Sequence, residues 1–485
     1  MKIAMLTPLP PTRSGVAHYS SLLLPALRER VDVHAFDTAE GYDPETFDLH
    51  VYQLGNNPHH AWMYAEAMQR PGIAVIHDLV LHHLIVEMTL ARGDVDGYVR
   101  ALQASHGEAG AAWARGRAAG LHSEMGNFLL PASVEVARRS RAVVVHNEYA
   151  RQRLESFGVA TPIHVVPHPW IADEAQPDGS ALRRTLGIPA DHTVIGFFGF
   201  LTSAKRGEVV LEAFRRAKER QPRLTLLIVG EPAPNIDPET LRGDGIITTG
   251  YVSDDDFPRY YAIADRLVNL RYPTAGETSG TLVRAFDAGK PVAVSDYAQF
   301  AEFPDDCVVK VSLGQGEVEK LVEFFTSALP DVAATQRRWL EANSTLELAV
   351  AGYLAALRDA MQNVQREATV ITNSVPLFPR LEVVSATVGD EVVIVVRNGG
   401  EEVIRTRTYG QPEYRMIAKL FDGEHVVQDG WYALPCDLRP GEATEIRFRR
   451  TRVATTLRLY HALQDVPMLE PRAWAEVSAE AERVQ

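Results

Sequence analysis

The stretch LRYPTAGETSGTLVRAFDAGKPVAVSD, residues 270–296, begins as one apolar run, ends as another, and carries a helical segment between them. Two short apolar runs joined through a helix read as parallel strands with a crossover. Between the first run and the helix stands Gly276-Glu277-Thr278-Ser279-Gly280, one acid among small polar residues. The same alternation extends outward in both directions. KIAMLTP (2–8), VDVHAFD (31–37), DLHVYQL (48–54), GIAVIHD (72–78), AVVVHN (142–147) and PIHVVPH (162–168) form one set. TVIGFFGFL (193–201), TLLIVG (225–230), IITTGYV (246–252), RLVNLRYP (266–273), PVAVSD (291–296) and CVVKV (307–311) form a second. Runs this apolar are strands buried on both faces, as in a parallel sheet covered by helices. The pattern predicts an α/β fold with two doubly wound, Rossmann-like domains.

The first domain is expected over 1–172 and the second over 173–345, joined through the polar, Gly- and Pro-containing segment 169–187. A helical insertion at 83–140 interrupts the first. It is too long for a simple crossover and reads either as an inserted subdomain or as a lid or acceptor platform. A helical run follows at 346–372. Beyond it the chain changes character: apolar and polar residues alternate in short runs, broken by Gly389-Asp390, Asn398-Gly399, Asp422-Gly423 and Pro440-Gly441. This predicts an antiparallel β-sandwich within 378–485. Its aromatics Tyr409, Tyr414, Trp431 and Tyr432 can stack on sugars or fill a core.

The 485 residues carry a formal net charge of -14, which argues against a nucleic-acid partner. Two cysteines, Cys307 and Cys436, make neither a disulfide framework nor a thiolate metal site. The N-terminus lacks a signal-like apolar segment, and no window approaches 18 uninterrupted apolar residues. The expectation is a cytoplasmic protein, with peripheral contact at the inner face of the membrane left open.

In doubly wound sheets, ligands bind beyond the carboxyl ends of the strands, beside helix N-termini that favour phosphate. After the first strand, Gly15 stands at a helix start, where it lets the backbone approach a ligand. No G-x-G-x-x-G follows that strand and no G-x-x-x-x-G-K-[ST] occurs, which removes the dinucleotide and P-loop signatures. His77 and Asp78 end a strand, and His82 and His83 follow. This is not the one-face spacing of a metal site, so His77 is expected to hydrogen-bond a substrate and no metal is expected. Lys205 and Arg206, in a loop entering a helix, suit a pyrophosphate. Glu277 can accept from sugar hydroxyls. Thr278, Ser279 and Gly280 can face phosphate, or the hydroxyls can cap their own helix.

Taken together, MLTPLPPTRSGVAHYSSLLLPAL, GIAVIHDLVLHHL, FFGFLTSAKRGEVVLEAF, ITTGYVSDDDFPRYYAIADRLVNLRYP and GETSGTLVRAFDAGKPVAVSD resemble the metal-independent, retaining glycosyltransferases of the GT-B fold, in the family-4 group. The resemblance covers most of residues 1–365. It implies a nucleotide-diphosphate sugar donor, UDP- or GDP-linked, with no further cofactor, and a glycan or glycolipid acceptor. It implies that His77 reaches the transferred sugar, that Glu277 contacts it, and that Lys205 holds the diphosphate. Gly15, Arg206, Thr278, Ser279 and Gly280 complete the donor site. Where many members carry a second glutamate for the ribose, this chain has Val283 and Arg284, and Asp287, one turn on, is the candidate. Retention would follow from attack on the face of departure, with a diphosphate oxygen helping to deprotonate the acceptor. Two other readings stay open: a glycosyltransferase-like protein that binds glycan without turnover, and a GT-B epimerase or phosphorylase.

Overall fold

The computed structural model describes residues 2–12, 14–121, 125–172, 177–233, 236–253, 256–314, 316–362, 381–400, 403–404, 414–463, 466–468 and 475–478. Six strands form the first parallel sheet: β1 (Lys2–Leu6), β2 (Asp32–Phe36), β3 (Leu49–Leu54), β4 (Ile73–Ile76), β5 (Ala142–Val145) and β6 (Ile163–Val165), in the order β2-β1-β3-β4-β5-β6. The side-chain alternation of a strand shows why this sheet needs covering on both faces. Ile3 and Met5 of β1 enter one apolar cluster, while Ala4 and Leu6 enter another on the opposite face.

A second six-stranded sheet repeats the scheme with β7 (Thr193–Phe198), β8 (Leu224–Val229), β9 (Ile246–Thr248), β10 (Arg266–Asn269), β11 (Val292–Ser295) and β12 (Val309–Val311). Its order is β12-β11-β10-β7-β8-β9, and its pairs are parallel. Val194 and Phe198 face one core, Ile195 and Phe197 the other. Strand order reverses between β1 and β3 in the first sheet and between β7 and β10 in the second. Those are the crevices where such sheets take ligands.

Helix Leu346–Gln362 leaves the second domain and packs on the first. Ala349, Val350, Tyr353, Ala356, Leu357 and Ala360 join the cluster holding Ile3, Met5 and Tyr19. Their helical spacing explains the docking: one stripe of the helix is apolar, and the β1–β5 face is where it is buried. Residues 363–372 of that expected run lie outside the described residues.

The inserted segment is helical at His82–Met88, Val95–Ala118, Met125–Leu129 and Val134–Arg139, with a break at Gly107 (φ 66, ψ -153). Tyr98, Leu102, Trp113 and Ala114 belong to the first domain's core, so the insertion packs as part of that domain. Leu129 rests against the core of the C-terminal β-region.

That region has two antiparallel sheets. The smaller is β13 (Leu381–Val388), β14 (Glu391–Asn398) and β17 (Ala443–Arg449). The larger is β15 (Tyr414–Asp422), β16 (His425–Ala433), β18 (Thr456–Leu463), β19 (Val466–Met468) and β20 (Ala475–Ser478). Val392, Ile394 and Ile446 of one sheet meet Met416, Leu420 and Leu457 of the other in one core, which makes it a sandwich. Tyr432 stacks on Phe448 at 4.4 Å between ring centroids, whereas Trp431 is 40% exposed. Tyr409 lies outside the described residues. Among the described residues no helix is long and apolar enough to cross a membrane, and no group of three His, Cys, Asp or Glu is placed to hold a metal ion.

Candidate active site

A cleft of about 1020 Å³ opens between the two α/β domains, beyond the carboxyl ends of β1, β4, β7 and β10. Gly15, His77, Lys205, Glu277, Thr278, Ser279, Gly280 and Asp287 all line it. Arg206 does not.

On the first-domain side, Gly15 opens helix Gly15–Arg28 behind the cap Ser14. A β-carbon there would touch nothing within 4 Å, so the glycine leaves free space in the cleft rather than relieving a clash. His77 follows β4. Its Nε2 lies 2.6 Å from Gln53 Oε1 and its Nδ1 lies 3.1 Å from His146 Nε2, while His146 Nδ1 lies 2.8 Å from the Val166 carbonyl. Burial, then His146, pulls the His77 pKa well below that of a free imidazole, and burial lowers His146 to about 4. Two neutral rings bring two protons to three hydrogen bonds. Turning the Gln53 amide so that its NH2 faces His77 supplies the third, with Tyr353 then donating to the amide oxygen. In either orientation both ring nitrogens of His77 are occupied, and Tyr19 packs edge-on at 4.8 Å. The ring forms a rigid wall of the cleft.

On the second-domain side, the turn after β7 buries Lys205, which is 7% exposed. Its Nζ donates to the Phe198 carbonyl at 2.8 Å. Gly199 makes the room: its φ is +88, and a β-carbon would lie 2.7 Å from that Nζ. Burial, and next the neighbouring Arg271, holds the lysine pKa well below its ordinary value. Arg206 takes a left-handed backbone (φ 56) that turns its guanidinium away, onto Glu317, with both hydrogen bonds 2.6 Å long. Beside Lys205 on this wall stands another cation, Arg271, just after β10. Sequence reading passed over it because it stands at the end of an apolar run and looks like a strand edge.

Arg271 Nε donates to Glu277 Oε1 at 2.6 Å, and Glu277 Oε2 accepts from Thr274 Oγ1 and the Ala275 N–H. The acid is therefore fixed in orientation. The Ser279 hydroxyl is held by Asn269 Nδ2 at 2.8 Å and makes no cap to helix Gly280–Asp287. That N-terminus opens to the cleft without a side-chain cap. Thr278 stands 3.5 Å from Asn147 Nδ2 of the first domain. Asp287 accepts from Trp170 Nε1 at 2.9 Å and lies 3.6 Å from Arg337, so its carboxylate serves the linker between domains. Arg284, not Asp287, reaches across the cleft, 3.3 Å from His18 Nε2. Of the remaining histidines, His82 is buried against Tyr98 and the Leu130 carbonyl, and His83 faces Glu87 on the surface.

Residues 192–331 match the family described as Glycosyl transferases group 1. Over 197 residues the chain is 24% identical to the lipopolysaccharide 1,2-N-acetylglucosaminetransferase of Salmonella typhimurium, covering 37% of this chain and 51% of that protein. Over 160 residues it is 30% identical to the D-inositol 3-phosphate glycosyltransferase of Stackebrandtia nassauensis, covering 32% of this chain and 33% of that protein. The chain thus spans about half the length of the first of these relatives and a third of the second. Among solved structures, Anabaena HepE in complex with UDP and glucose superposes with a TM-score of 0.52 at 16% identity, over 74% of this chain and all (100%) of that one. Sucrose-phosphate synthase from Thermosynechococcus elongatus gives 0.50 at 14% identity, over 75% and 99%. At these identities the likeness is one of fold. The chain carries at residues 192–331 a segment similar to the Glycosyl transferases group 1 family, set in a two-domain scaffold with the GT-B fold.

Proposed function

We propose that this protein is a retaining, metal-independent glycosyltransferase that moves a sugar from a nucleotide-diphosphate donor to a glycan or glycolipid acceptor. One observation carries the reading: Lys205, Arg271 and the uncapped N-terminus of helix 280–287 converge on the cleft beside Glu277. Two cations and free backbone N–H groups suit a leaving diphosphate, whose charge grows as the bond to the sugar breaks. Glu277, fixed by Arg271 and the 274–275 turn, accepts from sugar hydroxyls. His77 closes the opposite wall and excludes water. The acceptor attacks from the face the diphosphate leaves, so that the anomeric configuration is kept. The names of the Salmonella and Stackebrandtia relatives, and the UDP and glucose held by HepE, support beginning with UDP-sugars.

The test is a panel of UDP- and GDP-sugars, scored by thermal shift and by hydrolysis, with and without EDTA. One stabilising donor, turned over equally in EDTA, is the expected outcome. Turnover lost in EDTA would remove metal independence. No response to any donor would favour a glycosyltransferase-like protein that holds glycan without turnover.

A further inference from the structure

We infer that Asp78 is the acceptor-side catalytic group of the cleft: its free carboxylate oxygen orients the incoming hydroxyl and takes its proton. The inference rests on the glycosyltransferase reading and gives the acceptor proton a protein destination, beside the diphosphate oxygen that the resemblance implies.

Of the carboxylates that line the cleft, Asp78 after β4 and Glu277 after β10 lie close enough to feel each other's charge. Both oxygens of Glu277 are committed, to Arg271, Thr274 and the Ala275 N–H. Asp78 uses one oxygen only: Oδ2 accepts the Asn56 N–H at 2.7 Å. Among the described residues no protein group donates to its Oδ1. Asp78 is only partly buried and lines the cleft, so that oxygen stays open to a hydroxyl entering it.

The position is fixed from both sides. The Val80 N–H donates to the Ala275 carbonyl at 3.0 Å, and Gly276 (φ +74) comes so near Leu79 that a β-carbon would lie 2.6 Å from it. These contacts bind the loop carrying Asp78 to the loop carrying Glu277. Facing Asp78 are Glu277 and Arg271 from the second domain, with the neutral His77 beside it in sequence. Burial first, and Glu277 next, raise Asp78 to about 7, against the pull of the Asn56 N–H and Arg271. A carboxyl that changes charge near neutrality can both accept a proton and return it.

The acceptor O–H bond breaks and its proton passes to Asp78 Oδ1, while the electron pair stays on the acceptor oxygen and forms the new bond to the anomeric carbon. The bond from that carbon to the diphosphate breaks, and its pair leaves on the diphosphate beside Lys205 and Arg271. Asp78 then releases the proton to water.

Asp78→Asn tests this, because an amide oxygen still serves the Asn56 N–H while the basic oxygen is lost. With the donor found by the panel, transfer by the variant is expected to fall about 100-fold or more. The UDP-induced thermal shift should match wild type. Wild-type transfer should rise with pH through about 7, where Asp78 loses its proton, and the variant should lack that rise. A variant with wild-type rate and wild-type pH profile would overturn the inference. Infrared spectroscopy of the substrate-free protein gives a readout independent of activity. A protonated carboxyl band that titrates near pH 7 in wild type and is absent in Asp78→Asn supports the inference, and the same band in both overturns it. A wild-type chain that turns over no donor therefore defeats the glycosyltransferase reading, while the infrared arm still shows whether Asp78 titrates near neutrality.

Discussion

Lys205 shows how one residue's burial becomes chemistry. Its ammonium has a carbonyl for company and lies near Arg271, so burial and then repulsion hold its pKa well below the ordinary lysine value. A diphosphate reverses that balance. Above the lowered pKa of the empty site, donor binding must therefore take up a proton at Lys205, and donor affinity must fall as pH rises. Calorimetry of UDP binding over a rising pH series in two buffers of different ionisation heat reads the uptake directly; heats that agree in both buffers at every pH would remove it. Lys205→Ala is expected to lose the buffer dependence and about 100- to 1000-fold in turnover, the scale of one preorganised transition-state contact. A variant that turns over normally would take Lys205 out of the diphosphate site. This residue was visible in the sequence because a loop between strand and helix held it beside small residues. Arg271 was hidden because the acid it orients stands six positions on, and a strand lies on its other side.

Among the elements, the turn 203–206 and helix Glu317–Thr326 explain what the sequence left ambiguous. Lys205 and Arg206 look equivalent in a string. The left-handed backbone at Arg206 separates them, sending one side chain to the cleft and the other to a carboxylate 111 residues further on. Glu317 is 2% exposed and also accepts the Gly314 N–H at 3.1 Å. Removing its partner leaves a buried charge, so Arg206→Ala should cost about 3 kcal/mol of stability, read by denaturant unfolding, with UDP affinity in the folded protein unchanged. A variant as stable as wild type but with weakened UDP binding would return Arg206 to the donor site. The twelve parallel strands were legible because burial on both faces leaves near-continuous apolar runs, as in IAVI of β4 and AVVV of β5. The sandwich was legible from alternation and turns. The Ser279 hydroxyl was not: capping its own helix and bonding Asn269 use the same residue type, and only the fold decides between them.

At the scale of the whole molecule, the cleft exists because the two domains are held shut across it. Asn147 caps helix Glu148–Ser156 through its Oδ1 and reaches the Gly276 carbonyl of the second domain with its Nδ2 at 2.9 Å. In return, Glu302 of the second domain accepts the first N–H groups of that helix, from Glu148 at 3.2 Å and Tyr149 at 2.6 Å. The two hydrogen bonds are together worth about 1 kcal/mol, enough to move an open–closed ratio several-fold. Glu302→Ala should therefore enlarge the radius of gyration measured by small-angle scattering without UDP, and saturating UDP should restore it. Equal radii in variant and wild type would show that the other contacts between the domains, Asn147–Gly276, Val80–Ala275 and His18–Arg284 among them, hold them without Glu302. The pH dependence has the opposite sign to that of a simple ionic latch. Burial, the largest influence, raises the Glu302 pKa in the closed form, so the closed form binds the proton more tightly than an open one with a free carboxyl. Lowering pH toward the carboxylate range should then favour closure in wild type and leave Glu302→Ala unmoved at this site. Scattering that reports opening of the wild type as pH falls, with the variant flat, would mean that the two N–H groups outweigh the burial of the charge.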